Sequence, residues 1–212
     1  MRSKVILLKY NKLIYKGLNY EIKDFIKEKK SVRNRVMYLL DEDLYIKKYI
    51  FDKKNKIDSK DINRIIEEAF GLDEDYLFHY TMNRKRKELS IYAIKGGRKV
   101  SKLCENIRKV KIIPIQLEML KKIKRKIKDK SWGSIFSYKD SYYFISVKDG
   151  IFNGSFVERN LEYFLVRIKE FKGEEPLYFD SRIGDINIKN VKELDFGGII
   201  NDKALYKERF FT

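Results

Sequence analysis

Short apolar runs separated by turn residues divide the first half of the chain into strands and helices. Runs of four to eight residues rich in Val, Ile, Tyr and Phe indicate strands, whereas apolar residues at every third or fourth position indicate a helix. The first pattern predicts strands at residues 4–10, 13–20, 35–40, 44–51, 76–82, 88–94 and 110–113. The second predicts helices at residues 58–70 and 100–107, and from Pro114 through the basic run that ends at residue 130.

The helix at residues 58–70 has the clearest pattern. Its apolar residues recur at helical spacing and form one stripe: Ile62, Ile65, Ile66, Ala69 and Phe70. Asp58 or Ser59 is suited to cap its beginning, and Gly71 is suited to end it. Residues 21–30 are more ambiguous, since they are charged and carry only a weak helical face.

A break around Trp132-Gly133 separates the second half of the chain. Predicted strands follow at residues 135–138, 142–147 and 151–158, with turns at Lys139-Asp140 and Asp149-Gly150. A second clear helix begins near Asn160, and a strand follows at residues 176–180. We therefore predict two lobes, residues 1–130 and 131–212.

Candidate metal and catalytic residues are few. Asp41-Glu42-Asp43 lies between two predicted strands, and we interpret it as a hairpin turn because consecutive acidic side chains point apart and no further ligands are spaced around them. His79 and Cys104 are the single histidine and cysteine of the chain, which argues against a zinc site. Cys104 falls in an apolar helical stripe, so we interpret it as a core residue. We expect no catalytic residues and no metal.

The chain is strongly basic, with 48 Lys and Arg against 31 Asp and Glu and a formal net charge of +17. Such a charge attracts nucleic acid or an anionic membrane when it is concentrated on one face. Many lysines lie beside acids, as in Lys23-Asp24, so we interpret most of this charge as general surface solvation. The densest basic run supplies the candidate partner-binding residues: Lys121, Lys122, Lys124, Arg125, Lys126 and Lys128. No apolar run approaches the ~20 residues needed to cross a bilayer.

The order of elements resembles the PilM family, the actin-like cytoplasmic proteins of type IV pilus assembly. It is also similar to the cytoplasmic domain of the L-type platform protein of type II secretion. The matching segments are VMYLLDEDLYIKKYIF, DSKDINRIIEEAF, DYLFHYTMN, ELSIYAIKGG and SKLCENIRKVKIIPIQLEML, and PLYFDS in the second half. The resemblance implies an α/β, actin-like fold of ribonuclease H-like subdomains, with a docking subdomain at residues 34–120.

The chain departs from this family where nucleotide would bind. Actin-like ATPases hold phosphate and magnesium with an Asp-x-Gly turn between their first two strands, but here residues 9–12 read KYNK. The nearest candidate for the second phosphate loop is Asp149-Gly150, and for the late glycine loop it is Arg182-Ile183-Gly184. Without backbone cradles for phosphate, we expect a degenerate fold with no cofactor. The alternative is an ATP-Mg-binding PilM-type protein that uses Asp149 and Gly150.

The resemblance implies a non-enzymatic scaffold, peripheral or tethered to the cytoplasmic face of the inner membrane. Such a scaffold links a pilus or secretion motor ATPase to PilN- and PilO-like membrane platform proteins by docking. The sequence leaves open dimer formation, contact with an anionic membrane, and continuation past Thr212 into a membrane helix, as in a PilM–PilN fusion. A basic nucleic-acid-binding protein is a further alternative, although no nucleic-acid-binding motif accompanies the charge.

Overall fold

The computed structural model describes residues 4–10, 12–28, 34–51, 58–71, 75–105, 107–171, 173, 175–184, 188, 191–197, 200 and 205. In chain order the first half contains β1 (Lys4–Lys9), β2 (Lys12–Tyr15), β3 (Leu18–Glu21), α1 (Ile22–Glu28), β4 (Asn34–Leu40), β5 (Leu44–Ile50), α2 (Ser59–Phe70), β6 (Tyr76–Asn83), β7 (Glu88–Lys95), α3 (Gly97–Cys104), β8 (Lys109–Pro114) and α4 (Ile115–Ile123). The second half contains β9 (Trp132–Tyr138), β10 (Ser141–Lys148), β11 (Ile151–Glu158), α5 (Leu161–Phe171), β12 (Leu177–Asp180) and β13 (Val191–Leu194).

Two five-stranded sheets share one topology. The first has the strand order β3-β2-β1-β4-β8 and the second has the order β11-β10-β9-β12-β13. In each sheet an antiparallel meander is followed by two strands parallel to its first strand. A helix follows each meander, α1 in the first half and α5 in the second. The fold is therefore a duplication of one subdomain, although no internal repeat is evident in the sequence.

A third, three-stranded sheet is inserted between β4 and β8. Its order is β5-β7-β6, and both neighbouring pairs are antiparallel. One face packs against α2, where Ile62, Leu89 and Ile91 form a small buried cluster. Tyr92 and Ile94 alternate with these residues along β7 and therefore face the other side of the sheet.

The predicted hairpin between residues 35–40 and 44–51 is wrong. β4 lies inside the first sheet, parallel to β1 on one side and to β8 on the other. Because both edges of β4 are occupied, β5 cannot pair with it and joins β7 in the inserted sheet. The segment Asp41-Glu42-Asp43 is therefore the crossing from one sheet to another.

Two other predicted elements differ from the structure. Residues 13–20 form two strands, because Lys16 and Gly17 take positive φ angles of 51° and 82° and reverse the chain between β2 and β3. The helix predicted from Pro114 to residue 130 ends at Ile123. The amides of Arg125 and Lys126 then bond to carbonyls three residues earlier, which tightens the chain into a turn. Within the described residues, no helix is both long and apolar enough to cross a membrane.

The largest core runs through both halves of the chain. Ile6, Leu7 and Tyr38 from the first sheet share one buried cluster with Trp132 and Tyr143 from the second. A smaller cluster, which includes Phe144 and Phe156, lies between the second sheet and α5. The two sheets therefore have one common core between them.

The beginning of α2 matches the predicted capping residue. The Asp58 carboxylate accepts hydrogen bonds from the backbone amides of Lys60 and Asp61, at 2.7 and 2.9 Å. Asp61 reciprocates by accepting from the Asp58 amide at 3.1 Å, which completes a capping box. Gly71 follows the helix with a φ of 74°, a conformation that favours glycine.

Replacing Asp58 with alanine is expected to destabilise the protein by about 1 kcal/mol, since alanine cannot accept from the first-turn amides. Denaturant unfolding measures the change. Ser59→Ala is the control, because the structure assigns no capping hydrogen bond to Ser59. Equal losses in the two variants would contradict the assigned cap.

Candidate functional site

An apolar groove separates the inserted sheet from the edge of the first sheet. It has a volume of about 350 Å³. Its lining residues come from β5, β6, β7, β8 and the start of α4: Leu44, Leu77, Phe78, His79, Tyr92, Ile94, Ile112, Ile113, Pro114 and Leu117. Only His79 and Tyr92 among these carry a polar side-chain group. A groove of this kind suits apolar side chains of an incoming segment.

The groove lies where the face of the inserted sheet opposite α2 meets the edge of the first sheet. Tyr92 and Ile94 point away from α2, so their face of the inserted sheet is not covered by that helix. β8 is the last strand of the first sheet, and Ile112 on it is 36% exposed. His79 lies in the groove wall with its ring centroid 6.1 Å from that of Tyr92.

The acidic segment 41–43 joins the two lobes. Asp41, whose side chain is only 2% exposed, accepts hydrogen bonds from the Ser141 hydroxyl at 2.6 Å and the Tyr143 hydroxyl at 3.3 Å. The Arg159 guanidinium lies 3.2 Å from the other Asp41 oxygen. These partners all belong to the second sheet or its following turn, so Asp41 ties the end of β4 to the opposite lobe.

Asp43 makes a second connection to the same lobe. Its carboxylate accepts from the Val157 amide at 2.8 Å and lies 3.1 Å from the Arg167 guanidinium. Arg167 also donates to Glu158 at 2.6 Å. Burial lowers the pKa of Arg167, but its bonds to Glu158 and Asp43 outweigh burial and raise that pKa above its ordinary value. The guanidinium therefore stays charged while it holds the two carboxylates.

Glu42 points to the first lobe instead. Lys99 at the start of α3 lies 3.6 Å from its carboxylate, and Gln116 donates to its backbone carbonyl at 2.6 Å. Burial raises the pKa of Glu42, and the charge of Lys99 opposes this effect. The three acidic side chains diverge, as expected. Each of them also contacts a basic side chain elsewhere in the protein.

The β1–β2 and β9–β10 turns contact each other directly. The Lys9 ammonium donates to the Lys139 carbonyl and lies 3.2 Å from the Asp140 carboxylate. The Arg159 guanidinium lies 4.5 Å from the ring centroid of Tyr10, in cation–π geometry. These contacts and the Asp41 bonds form what we call the interlobe junction.

The buried Tyr143 makes the stability of the interlobe junction depend on pH in alkaline solution. Burial raises the pKa of this fully buried tyrosine well above its ordinary value, and the nearby Asp41 charge adds to the effect. The unfolded chain releases the proton near pH 10, whereas the folded chain retains it. The contribution of Tyr143 to stability is therefore complete below about pH 10 and is lost as the pH rises from there toward the folded-state pKa.

Unfolding measurements from pH 9 to pH 11.5 test this linkage. Relative to Tyr143→Phe, the wild-type protein is expected to lose an additional ~1.4 kcal/mol for each pH unit above about 10, which corresponds to one proton. Comparing the two proteins cancels the titration of the other tyrosines and of the lysines. Parallel pH profiles would show that Tyr143 ionises equally easily in both states.

Comparison with solved structures identifies the architecture. A Bacteroides thetaiotaomicron protein with an actin-like ATPase fold and unknown function aligns with 98% of this chain and 96% of its own, at 12% identity and a TM-score of 0.58. The chain has an actin-like fold. This confirms the fold predicted from the order of elements. No protein-family model and no curated protein sequence matches the chain.

Two further solved structures align less closely. One is the cytoplasmic domain of EpsL, an inner membrane component of the Vibrio cholerae type II secretion system, at 9% identity and a TM-score of 0.49, over 91% of this chain and 85% of its own. The other is the PilM-PilN type IV pilus biogenesis complex, at 10% identity and a TM-score of 0.49, over 81% of this chain and 66% of the chain it matches. At these identities the likeness concerns the fold alone.

The candidate nucleotide residues Asp149 and Gly150 lie in the turn between β10 and β11. This turn is at the opposite end of β10 from the β9–β10 turn of the interlobe junction. The Asp149 amide donates to the Ser131 hydroxyl at 3.0 Å, and the Gly150 amide donates to the Lys130 carbonyl at 2.6 Å. The backbone amides of Asp149 and Gly150 therefore already donate hydrogen bonds within the protein.

The candidate late glycine loop is likewise engaged internally. Arg182 binds the Asp180 carboxylate through its Nε and Nη2 atoms, at distances from 2.6 to 3.1 Å, and Asp180 is fully buried. The Gly184 amide lies 3.4 Å from the Ser181 carbonyl. No group of three or more His, Cys, Asp or Glu side chains suited to a metal occurs among the described residues.

The six candidate partner-binding residues do not share one helix face. Lys121 and Lys122 lie in the last turn of α4, whereas the other four candidates follow the helix in a turn and an extended segment. Several of the six contact other parts of the protein, including Lys122 with Glu118 at 3.3 Å, Lys124 with the Gly150 carbonyl at 2.7 Å, and Lys126 with the Asp195 carbonyl at 2.6 Å. Arg125 and Lys128 are exposed.

Neither the interlobe junction nor the composition of the groove was predictable from local sequence patterns. Asp41 and its partner Ser141 are 100 residues apart, so no local pattern connects them. The available signal was three acids placed directly after the apolar run at residues 36–40, in a chain with a large excess of basic residues. Such a signal indicates that the three acids have basic or hydrogen-bond-donating partners in the fold, but it does not identify those partners.

Proposed function

We propose that this protein is a non-enzymatic scaffold of an inner-membrane assembly platform for type IV pili or type II secretion. In this role it links a motor ATPase to PilN- or PilO-like membrane components by protein–protein docking. It works at the cytoplasmic face of the membrane, peripheral to it or tethered to it. The proposal joins the resemblance of residues 36–120 to the PilM family with the actin-like fold.

The apolar groove carries the proposal. It lies within the segment expected to be a docking subdomain, and it combines an open strand edge at β8 with a wall of apolar side chains. An apolar segment of a platform protein fits such a place, because its side chains can enter the groove beside the exposed Ile112 of β8. Eight of its ten lining residues are purely apolar, which suits the groove to contacts with apolar side chains.

The interlobe junction supports a scaffold that works without nucleotide. Actin-like ATPases place nucleotide between two phosphate turns. In the duplicated topology the turn equivalent to β1–β2 is β9–β10 and not the β10–β11 turn at Asp149-Gly150, and these two equivalent turns contact each other through Lys9, Lys139 and Asp140. The acidic segment 41–43 adds direct links between the lobes. The exposed Arg125 and Lys128 are suited to an acidic surface of the motor ATPase.

Copurification tests the proposed role. The tagged chain is expressed with the pilus or secretion motor ATPase and with the PilN-like platform protein of the same genome, and each pair is purified at low and at moderate salt. Stable association with the platform protein is expected, and failure to bind either protein would contradict the scaffold role. Millimolar ATP-Mg is expected to leave the melting temperature unchanged, whereas a large rise would support the ATP-binding alternative.

A further inference from the structure

β6 is an exposed edge strand without the features that usually block an edge. It forms one side of the inserted sheet, and no other described strand pairs with its outer side. Its sequence, YLFHYTMN, contains no charged residue, proline or glycine, and His79, Tyr80 and Thr81 at its centre are exposed. Unpaired backbone groups on such an edge form a template for another strand.

The other edge strands of the described chain differ in this respect. β3, β5, β8, β11 and β13 are the remaining edges of the three sheets, and each carries at least one Lys, Glu or Pro. Charges and prolines on an edge disfavour pairing with a second chain. β6 is therefore the edge strand of the described chain at which pairing with a second chain is least disfavoured.

The charges at the two ends of β6 are opposite. Asp75 directly precedes the strand, and the exposed residues Arg84, Lys85 and Arg86 follow it. When two such strands run antiparallel, the basic end of each lies beside the acidic end of the other. The strand is therefore complementary in charge to a second copy of itself.

We propose that β6 is a self-association surface, at which two copies of this chain pair antiparallel about a two-fold axis at Tyr80. A two-fold axis perpendicular to the sheet leaves each residue opposite one that faces the same side. Centring on Tyr80 places Phe78 opposite Met82. It also brings Asp75, which accepts a hydrogen bond from the Arg98 amide at 3.1 Å, to the same end of the interface as the basic β6–β7 turn of the second copy. The two three-stranded sheets become one sheet of six strands.

This register is favoured by its side-chain pairs. Phe78 and Met82 both pack on the side of the sheet that α2 covers, so their pairing extends an apolar surface. At physiological ionic strength the Debye length is about 8 Å, so the net charge of +17 on each copy is largely screened beyond the interface. The proposal does not depend on the role of the groove.

Light scattering and cysteine cross-linking test the proposal on the full chain. We expect a dimer for the wild-type protein, and a monomer for Tyr80→Lys because the two introduced ammonium groups lie directly opposite each other. Tyr80 is 46% exposed, so this substitution leaves the core intact, which the melting temperature checks. A wild-type protein that remains monomeric at high micromolar concentration would overturn the proposal.

The register is tested in a Cys104→Ser background, which removes the native thiol. Tyr80→Cys is expected to form a covalent dimer on mild oxidation, because directly opposite residues lie within the Cα separation that a disulfide spans. Thr81→Cys is the matched control. It is offset from its own copy by two residues, about 7 Å along the strands, and is expected to stay uncross-linked. A dimer that survives Tyr80→Lys, or that cross-links through Thr81→Cys instead, refutes this pairing.

Discussion

Replacing Asp41 with alanine is expected to lower the free energy of unfolding by about 2–4 kcal/mol. The Asp41 side chain is 2% exposed and accepts from Ser141 and Tyr143 while it faces Arg159. Alanine leaves the two buried hydroxyl groups without this acceptor, and each unsatisfied buried donor costs about 1–3 kcal/mol. Arg159 is half-exposed, so its ion pair contributes only about 0–1 kcal/mol of the loss. Denaturant unfolding monitored by circular dichroism measures the change.

Asp140 provides a closely matched control. Both aspartates lie in turns with positive φ, 59° for Asp41 and 60° for Asp140, so alanine meets the same backbone strain at each. Both also lie 3.2 Å from a basic group, but the Asp140 side chain is 96% exposed. Asp140→Ala is therefore expected to cost about 1 kcal/mol or less. Equal losses in the two variants would show that the buried hydrogen bonds of Asp41 stabilise the protein no more than the exposed ion pair of Asp140 does.

Replacing Ile112 with glutamate is expected to weaken binding of the PilN-like platform protein by about 10- to 100-fold. Ile112 lies on the open edge of β8 and lines the groove, so a carboxylate there would be buried against the apolar segment of the partner. Truncating a central interface anchor costs about 2 kcal/mol or more, and a buried unpaired charge adds to the loss. Isothermal titration calorimetry with the purified platform protein measures the affinity.

Val166→Glu controls for the added charge. Val166 is 54% exposed on α5, which packs on the second sheet, and it does not line the groove. This variant is expected to bind the platform protein as the wild type does. Both variants are expected to melt near the wild-type temperature, since both replaced side chains are partly exposed. Unchanged binding by Ile112→Glu would move the docking site away from the groove even if the scaffold role holds.

Periodic patterns predicted most of the regular structure because those patterns are local. The capped helix α2 followed from one apolar stripe with Asp58 before it and Gly71 after it, and the structure shows both ends as predicted. The meander of the second half followed from alternating apolar runs and glycine or aspartate turns. Even the actin-like fold was predictable, because it depends on the order of these elements along the chain.

Pairing between distant segments was not predictable in the same way. The sequence shows that residues 35–40 and 44–51 are strands separated by three acids, and a hairpin is the common outcome of that pattern. In the structure β4 is enclosed by β1 and β8, so β5 joins another sheet. The choice depends on which strands fill the edges of β4, and that information lies about 30 to 75 residues away.

The sequence by itself determined the elements of this protein, its basic charge and the absence of an Asp-x-Gly turn between its first two strands. Tertiary structure alone decided what the acids of segment 41–43 contact and where an apolar surface stays uncovered. Asp41 meets Ser141 across 100 residues, and the groove appears only where the inserted sheet stands against the edge of β8. The physical reason is that periodicity reports which side of an element is apolar, whereas only the packed chain determines which groups lie opposite one another.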